Sequence, residues 1–214
     1  MSRRRFENLE PERRLRLVET AADEIAAKGY GGASLNRILE RAGMSKSSLY
    51  YYFDDKADFF STLVDQALAF LFKEIGGFDI DALTAETYWS ELEAMARRAI
   101  DVMNGAAWWV RVGRLFYQLR GDPKGGAATG HTFHMVRRWM SRLIDRGQAL
   151  GVVRADLPQS LLVDGVMGLG EAMDRWLVDN FEALDRPARL RLAAEQTDLF
   201  RRLLAPSSML GVGS

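Results

Sequence analysis

The stretch Ala33-Ser-Leu-Asn-Arg-Ile-Leu-Glu-Arg-Ala-Gly-Met-Ser-Lys-Ser-Ser-Leu-Tyr-Tyr-Tyr-Phe53 decides the fold, because its spacing reads as two short helices joined by one tight corner. Ser34 is the cap of a first helix in which Leu35, Ile38, Leu39 and Ala42 fall at helical spacing. Gly43 then supplies the positive φ that a helix stop needs. Ser45 is the cap of a second helix. Its inward stripe is Leu49 and Phe53, four apart, while Lys46, Ser47, Ser48, Tyr50, Tyr51 and Tyr52 place donors and flat rings around the rest of it. This is the layout of a helix-turn-helix with the recognition helix second. The same spacing also describes a plain αα-corner whose tyrosines cover a small core. Consecutive tyrosines beside an Asp-Asp-Lys turn, and a lysine opening the second helix, weigh toward a nucleic-acid surface.

Working outward, an earlier helix is expected to start near Pro11-Glu12, where proline's missing N–H is harmless, and to end at Gly29. Leu15, Val18, Ala22, Ile25 and Ala26 are its expected buried stripe. It offers the two short helices an apolar surface that they cannot supply for each other, which makes a three-helix head. On the other side Asp54 or Asp55 caps a helix whose Phe59, Phe60, Leu63, Val64, Ala67, Leu68 and Leu71 carry its apolar side to Gly76-Gly77.

No later segment shows sustained two-residue alternation with β-branched enrichment, so the body reads as helix throughout. Helices are expected over 84–104, 105–120 and 129–150, with a break at Gly121-Asp-Pro-Lys-Gly-Gly126. Asp156 is the expected cap of the next helix, with Gln159 as its reciprocal partner. The last two helices, about 157–181 and 187–205, carry apolar residues around more than one side, and such helices must be covered on both. Gly165, Gly168 and Gly170 each cost about 1 kcal/mol against alanine inside a helix, which implies close helix approach, bending or room for a ligand. The surplus apolar surface points to half of a four-helix bundle shared by two copies, the alternative being a wholly intramolecular core. Val166, Leu169, Leu192, Leu199, Phe200 and Leu203 are the interface candidates. The expected fold is all-α with about nine helices: a helix-turn-helix head over 1–54, a helical ligand-binding and dimerisation body over 55–205, and a flexible tail over 206–214.

Composition bounds the chemistry. The 214 residues include no cysteine, so disulfides, thiol chemistry and cysteine-ligated metals are excluded and a reducing, cytoplasmic setting is expected. Ser2-Arg-Arg-Arg-Phe6 looks like the opening of a twin-arginine signal, but densely charged residues follow where an apolar segment is required. Export is not expected, nor is a membrane span, since no apolar run approaches ~18 residues. Net charge is zero, yet residues 1–16 hold six arginines against three glutamates, and Arg37, Arg41 and Lys46 oppose only Glu40 across 33–53. A basic face can therefore sit on a neutral protein. The arginine-rich start is either a solvated tail or an arm that reaches DNA.

No enzyme is expected. His131 and His134 share a helix face, but no third metal ligand accompanies them, and the glycines of 121–126 lack the Gly-Lys-Ser/Thr ending of a phosphate loop. Neither a metal nor a cofactor is expected.

Ala42-Gly-Met-Ser-Lys-Ser-Ser-Leu-Tyr-Tyr-Tyr-Phe-Asp-Asp-Lys56 closely resembles the signature of the TetR family of bacterial transcription regulators. The resemblance is tight over about the first 75 residues and architectural beyond them. It implies that Lys46, Ser47 and Tyr51 face base edges. It also implies that Ser34, Ser48, Tyr50, Tyr52 and Lys56 hold phosphates, work suited to hydroxyls, a helix N-terminus and an ammonium. The family often has a glycine or another small residue at position 47 and histidine at 51 and 52, so the base preference stays open. It further implies a small-molecule cavity in the body, for which Trp108, Trp109, Val112, Phe116, Met167, Glu171, Met173 and Trp176 are the candidates; core packing is the other reading of each. Glu171 needs a ligand group or an arginine such as Arg114 or Arg175 if buried, and it could equally face solvent. The expected function is a repressor released from an inverted-repeat operator by a small, mainly apolar effector. The alternative is a DNA-binding adaptor whose body binds a protein partner. The expected partners are double-stranded operator DNA, a second copy of the chain and the effector.

Overall fold

The computed structural model describes residues 9–45, 53–105, 108–121 and 126–206. Among the described residues there are eight α-helices and no strand, as the periodicity requires. These are α1 (Pro11–Gly32), α2 (Leu35–Arg41), α3 (Lys56–Ile75), α4 (Tyr88–Gly105), α5 (Trp108–Gly121), α6 (Gly130–Ala149), α7 (Gln159–Asn180) and α8 (Arg186–Leu204). The chain forms two compact units, Met1–Leu71 with Ala107–Phe133, and Phe72–Ala106 with His134–Ser214. The unit that contains the head thus takes in α5, whereas the sequence suggests a cut between 54 and 55.

In the first unit, α1 packs against both α2 and α5. Two partners need a wide apolar arc, and Leu17, Val18, Ala21, Ala22 and Ile25 provide it. The expected stripe is therefore rotated from the real one: Leu15 and Ala26 are exposed, and Leu17 and Ala21 are buried. Gly29 kinks the end of α1 with φ 66°, the interruption expected there. Phe59 packs edge-on against both Phe53 and Phe60, at ring-centroid distances of 4.9 and 5.0 Å. In α5, Val112, Leu115 and Leu119 are buried, so this stripe is core.

In the second unit, a core of Tyr88, Leu143, Ile144, Val152, Val153, Leu162, Val163, Val166 and Leu204 joins α4, α6, α7 and α8. Tyr88 donates its hydroxyl proton to the Leu143 carbonyl at 3.0 Å. Burial pushes its phenol pKa upward. Gly147 permits this, since a Cβ there would come within 2.8 Å of the Tyr88 hydroxyl. After α6, Gly151 N–H bonds Gln148 O and Val152 N–H bonds Gly147 O, the paired bonds of a Schellman stop, with φ 72° at Gly151. The expected cap by Asp156 is not made. α7 starts at Gln159 with Pro158 before it and no side-chain cap, because Asp156 is taken by Arg154 at 2.6 and 2.7 Å. Gln159 instead donates to Asp145 and Ser141 on α6, at 2.5 and 3.0 Å. The expected flexible tail over 206–214 falls, apart from Pro206, outside the described residues.

Candidate nucleic-acid interface and body cavity

The corner of the head is built as its sequence demands. Ser34 Oγ accepts from Arg37 N–H at 3.5 Å, a long cap bond for α2. At the other end Gly43 N–H bonds Glu40 O and Met44 N–H bonds Leu39 O, with φ 72° at Gly43, a second Schellman stop. Ile38, Leu39 and Ala42 are buried beneath it. After Phe53, Asp55 caps α3 by accepting from Asp58 N–H at 2.8 Å, and Asp58 returns the favour to Asp54 N–H at 3.0 Å.

The residue that holds this corner to α1 was not singled out by the sequence reading. Glu24 is 5% exposed, and one of its carboxylate oxygens accepts from Ser34 N–H at 3.0 Å and from Arg37 at 3.0 and 2.8 Å. The bond from the Ser34 backbone, followed by Arg37, holds its carboxyl below the ordinary carboxylate value against the opposing effect of burial. Its signal was present in the spacing: Glu24 lies seven residues after Leu17, on the arc that α1 buries. Beside it, Asp23 pairs with Arg41 at 3.2 Å and with Arg111 of α5 at 3.5 Å. The expected basic excess across 33–53 is thus partly neutralised, because Arg37 and Arg41 are paired with carboxylates of α1.

Lys56 also acts on the protein itself. Its ammonium donates to Gly31 O and Ala33 O at 3.3 and 2.9 Å and lies 4.8 Å from the Tyr30 ring centroid, clamping the α1–α2 link to the start of α3. Lys46, Ser47, Ser48, Tyr50, Tyr51 and Tyr52 lie outside the described residues, as do the arginines at positions 3 to 5.

The pocket candidates fall into both units. Trp108, Trp109, Val112 and Phe116 belong to the first, where Val112 is 1% exposed and Phe116 stacks edge-on with Tyr117; the side chains of the two tryptophans lie outside the described set. Met167, Glu171, Met173 and Trp176 belong to the second. Met167 packs on the core, Trp176 is 50% exposed, and Glu171 pairs with Arg175 at 3.0 Å, one of the two arginines expected for it. None of the six candidates whose side chains are described lines the cavity that the second unit contains. That cavity, about 130 Å³ in volume, is lined from α4, α6, α7 and α8, with Trp89, Met95, Trp139, Met140 and Phe200 prominent.

The interface candidates also divide. Leu199 and Leu203 of α8 are exposed and Leu192 half-buried on one stripe of that helix. Val166, by contrast, is buried in the core and Phe200 lines the cavity, so neither presents its side chain outward as expected. Leu169 is half-buried. The outward stripe of α7 is Leu161, Gly165, Gly168, Ala172 and Trp176, all exposed at helical spacing, with open space above both glycines.

Among the described residues no group of three His, Asp or Glu side chains is placed to hold a metal. His131 instead approaches Asp65 at 3.3 Å, and the other oxygen of Asp65 accepts from Thr132 at 2.6 Å. No described helix is long and apolar enough to cross a membrane.

Residues 17–63 match the family model for bacterial regulatory proteins of the tetR family. Over 53 residues the chain is 36% identical to the HTH-type transcriptional regulator YdgC of Bacillus subtilis, a match that covers 25% of this chain and 27% of that relative. Solved structures resemble the chain over most of its length. One, described as a tetR family transcription regulator from Shewanella, has a TM-score of 0.67 at 21% identity, covering 91% of this chain and 98% of its own. The transcriptional regulator FadR of Bacillus subtilis, in complex with stearoyl-CoA, has a TM-score of 0.67 at 17% identity, covering 86% and 96%. At such identities the likeness is one of fold.

Proposed function

From a chain whose head is that of the TetR family of bacterial regulatory proteins, and whose fold is shared with regulators of that family, we propose a homodimeric repressor that a small apolar effector releases from an inverted-repeat operator. The observation that carries the reading is the head corner: a capped α2, a Schellman stop at Gly43, and a buried Glu24 that fixes α2 on α1. Such rigidity is what a recognition element needs to enter a major groove in one register. Residues 1–54 are assigned the DNA-contacting role and 55–205 the dimerising and ligand-binding role. Lys46, Ser47 and Tyr51 are assigned to base edges, and Ser34, Ser48, Tyr50 and Tyr52 to phosphates. Lys56 joins the phosphate set only through whatever of its ammonium the clamp leaves available.

The dimer reading is supported by the exposed stripes of α7 and α8, where small residues allow close helix approach. Two-fold symmetry then sets half-sites about 34–36 Å apart, or a multiple of that. The effector reading is supported by the cavity of about 130 Å³ in the second unit. The FadR neighbour holds stearoyl-CoA. This cavity is below the ~300–1,000 Å³ of pockets for drug-sized ligands, so a smaller molecule suits it. Footprinting of the purified protein on genomic DNA is the test: protected inverted repeats are expected, and uniform, sequence-independent protection would overturn the reading.

A further inference from the structure

Resting on the reading of the body as the ligand-responsive part, we infer that the effector is a neutral, single-ring aromatic molecule and that it sits wholly inside the cavity of the second unit. Size comes first. A volume of about 130 Å³ is close to that of apolar cavities, roughly 150 Å³, that stay dry and take up benzene. A second ring or a long chain would have to extend beyond it.

Charge comes next. The described lining residues include no carboxylate, ammonium, guanidinium or imidazole, and the one phenol, Tyr88, is held neutral by burial. The two hydroxyls at the wall are already committed, Tyr88 to Leu143 O and Thr197 to Ala193 O, each at 3.0 Å. A carboxylate or ammonium brought here would be buried without an oppositely charged partner among the described lining residues, which opposes binding. A neutral ligand meets no such penalty. The walls then favour a ring over an aliphatic chain. Tyr88 and Trp89 stand edge to face at 5.0 Å, and Trp139 and Phe200 supply further π-surfaces. Met95 and Met140 give thioethers that pack on ring edges and adapt to ring substituents. The site is lined from α4, α6, α7 and α8.

Calorimetric titration of the full protein with toluene tests this, with benzoate, benzylammonium and stearoyl-CoA as comparisons and with bromobenzene for crystallographic location. Toluene is expected to bind and both charged analogues to bind at least tenfold more weakly. Bromobenzene density is expected between Trp89, Trp139 and Phe200. Ala96→Phe, at a lining residue of α4, fills the cavity and is expected to abolish the heat of binding while leaving helicity unchanged; Met95→Trp serves if Ala96→Phe does not fold. Undiminished toluene binding in the filled variants would overturn the site. Equal or tighter binding of benzoate or stearoyl-CoA, or no binding of toluene, would overturn the ligand class. Binding in the cavity with operator affinity unchanged would leave site and class standing and instead defeat the reading of the body as an effector switch.

Discussion

Replacing Glu24 with alanine removes the acceptor that joins α1 to the cap of α2, and the structure sets the size of the loss. Ser34 N–H would lose a charge-assisted bond, worth roughly 1.5–3 kcal/mol. The Arg37 guanidinium is 52% exposed, so it rehydrates when its partner is gone, and that pair adds only about 0.2–1 kcal/mol. The head should therefore lose about 2–4 kcal/mol, or roughly 30- to 1,000-fold in its local opening equilibrium. Native-state amide exchange reads this directly at Ile38 and Ala42, whose N–H groups bond Ser34 O and Ile38 O. The amides of α7 should be unchanged. Acid supplies a second reading. The carboxyl is held below its ordinary value of 4.5 when folded, so its contribution is fully present above about that pH and is lost as pH falls through the folded value. Glu24→Gln should keep an oxygen for Ser34, cost less than alanine, and remove this component of the acid dependence. If Ile38 and Ala42 in Glu24→Ala exchange within about threefold of the parent protein, less than 1 kcal/mol, the proposed anchoring role is refuted.

Gly43→Ala should destabilise the head by about 1–2 kcal/mol, since φ 72° is left-handed and a Cβ there is strained although only Arg16 comes near it, measured by thermal unfolding. Lys46→Ala should alter operator preference, whereas Lys56→Ala should open the α1–α2 link and cost the protein about 1–2 kcal/mol, seen in urea unfolding. A change in sequence preference from Lys56→Ala with unfolding unaltered would reverse these assignments. Introducing charge on the outward stripes, Leu161→Glu with Leu203→Glu, should give a monomer by equilibrium sedimentation without loss of helicity; unchanged association would place the dimer interface elsewhere.

How much the sequence by itself determined depends on whether the signal was local. The all-α class, the order of the described helices, the cap at Ser34, the stops at Gly43 and Gly76, and the cap at Asp55 all follow from neighbours within four residues, and all stand in the structure, while the stop expected at Gly29 is a kink in a helix that runs to Gly32. The break after α6 is equally local. Where a residue had two partners to choose from, spacing did not decide. Asp156 had the pattern of a cap, but Arg154 two residues away offered a bidentate partner, and Gln159 found Asp145 on another helix. The sense in which a helix turns its apolar residues is likewise a tertiary matter: α1 rotated to satisfy α2 and α5 together, Val166 turned to the core, and Phe200 to a cavity. Glu24 sat at a buried angle in plain view, yet its role required Ser34 and Arg37, ten and thirteen residues on, to arrive at one oxygen. The cavity was the least legible element of all, because an unfilled volume between four helices belongs to no residue. It arises only where side chains from separate stretches fail to meet.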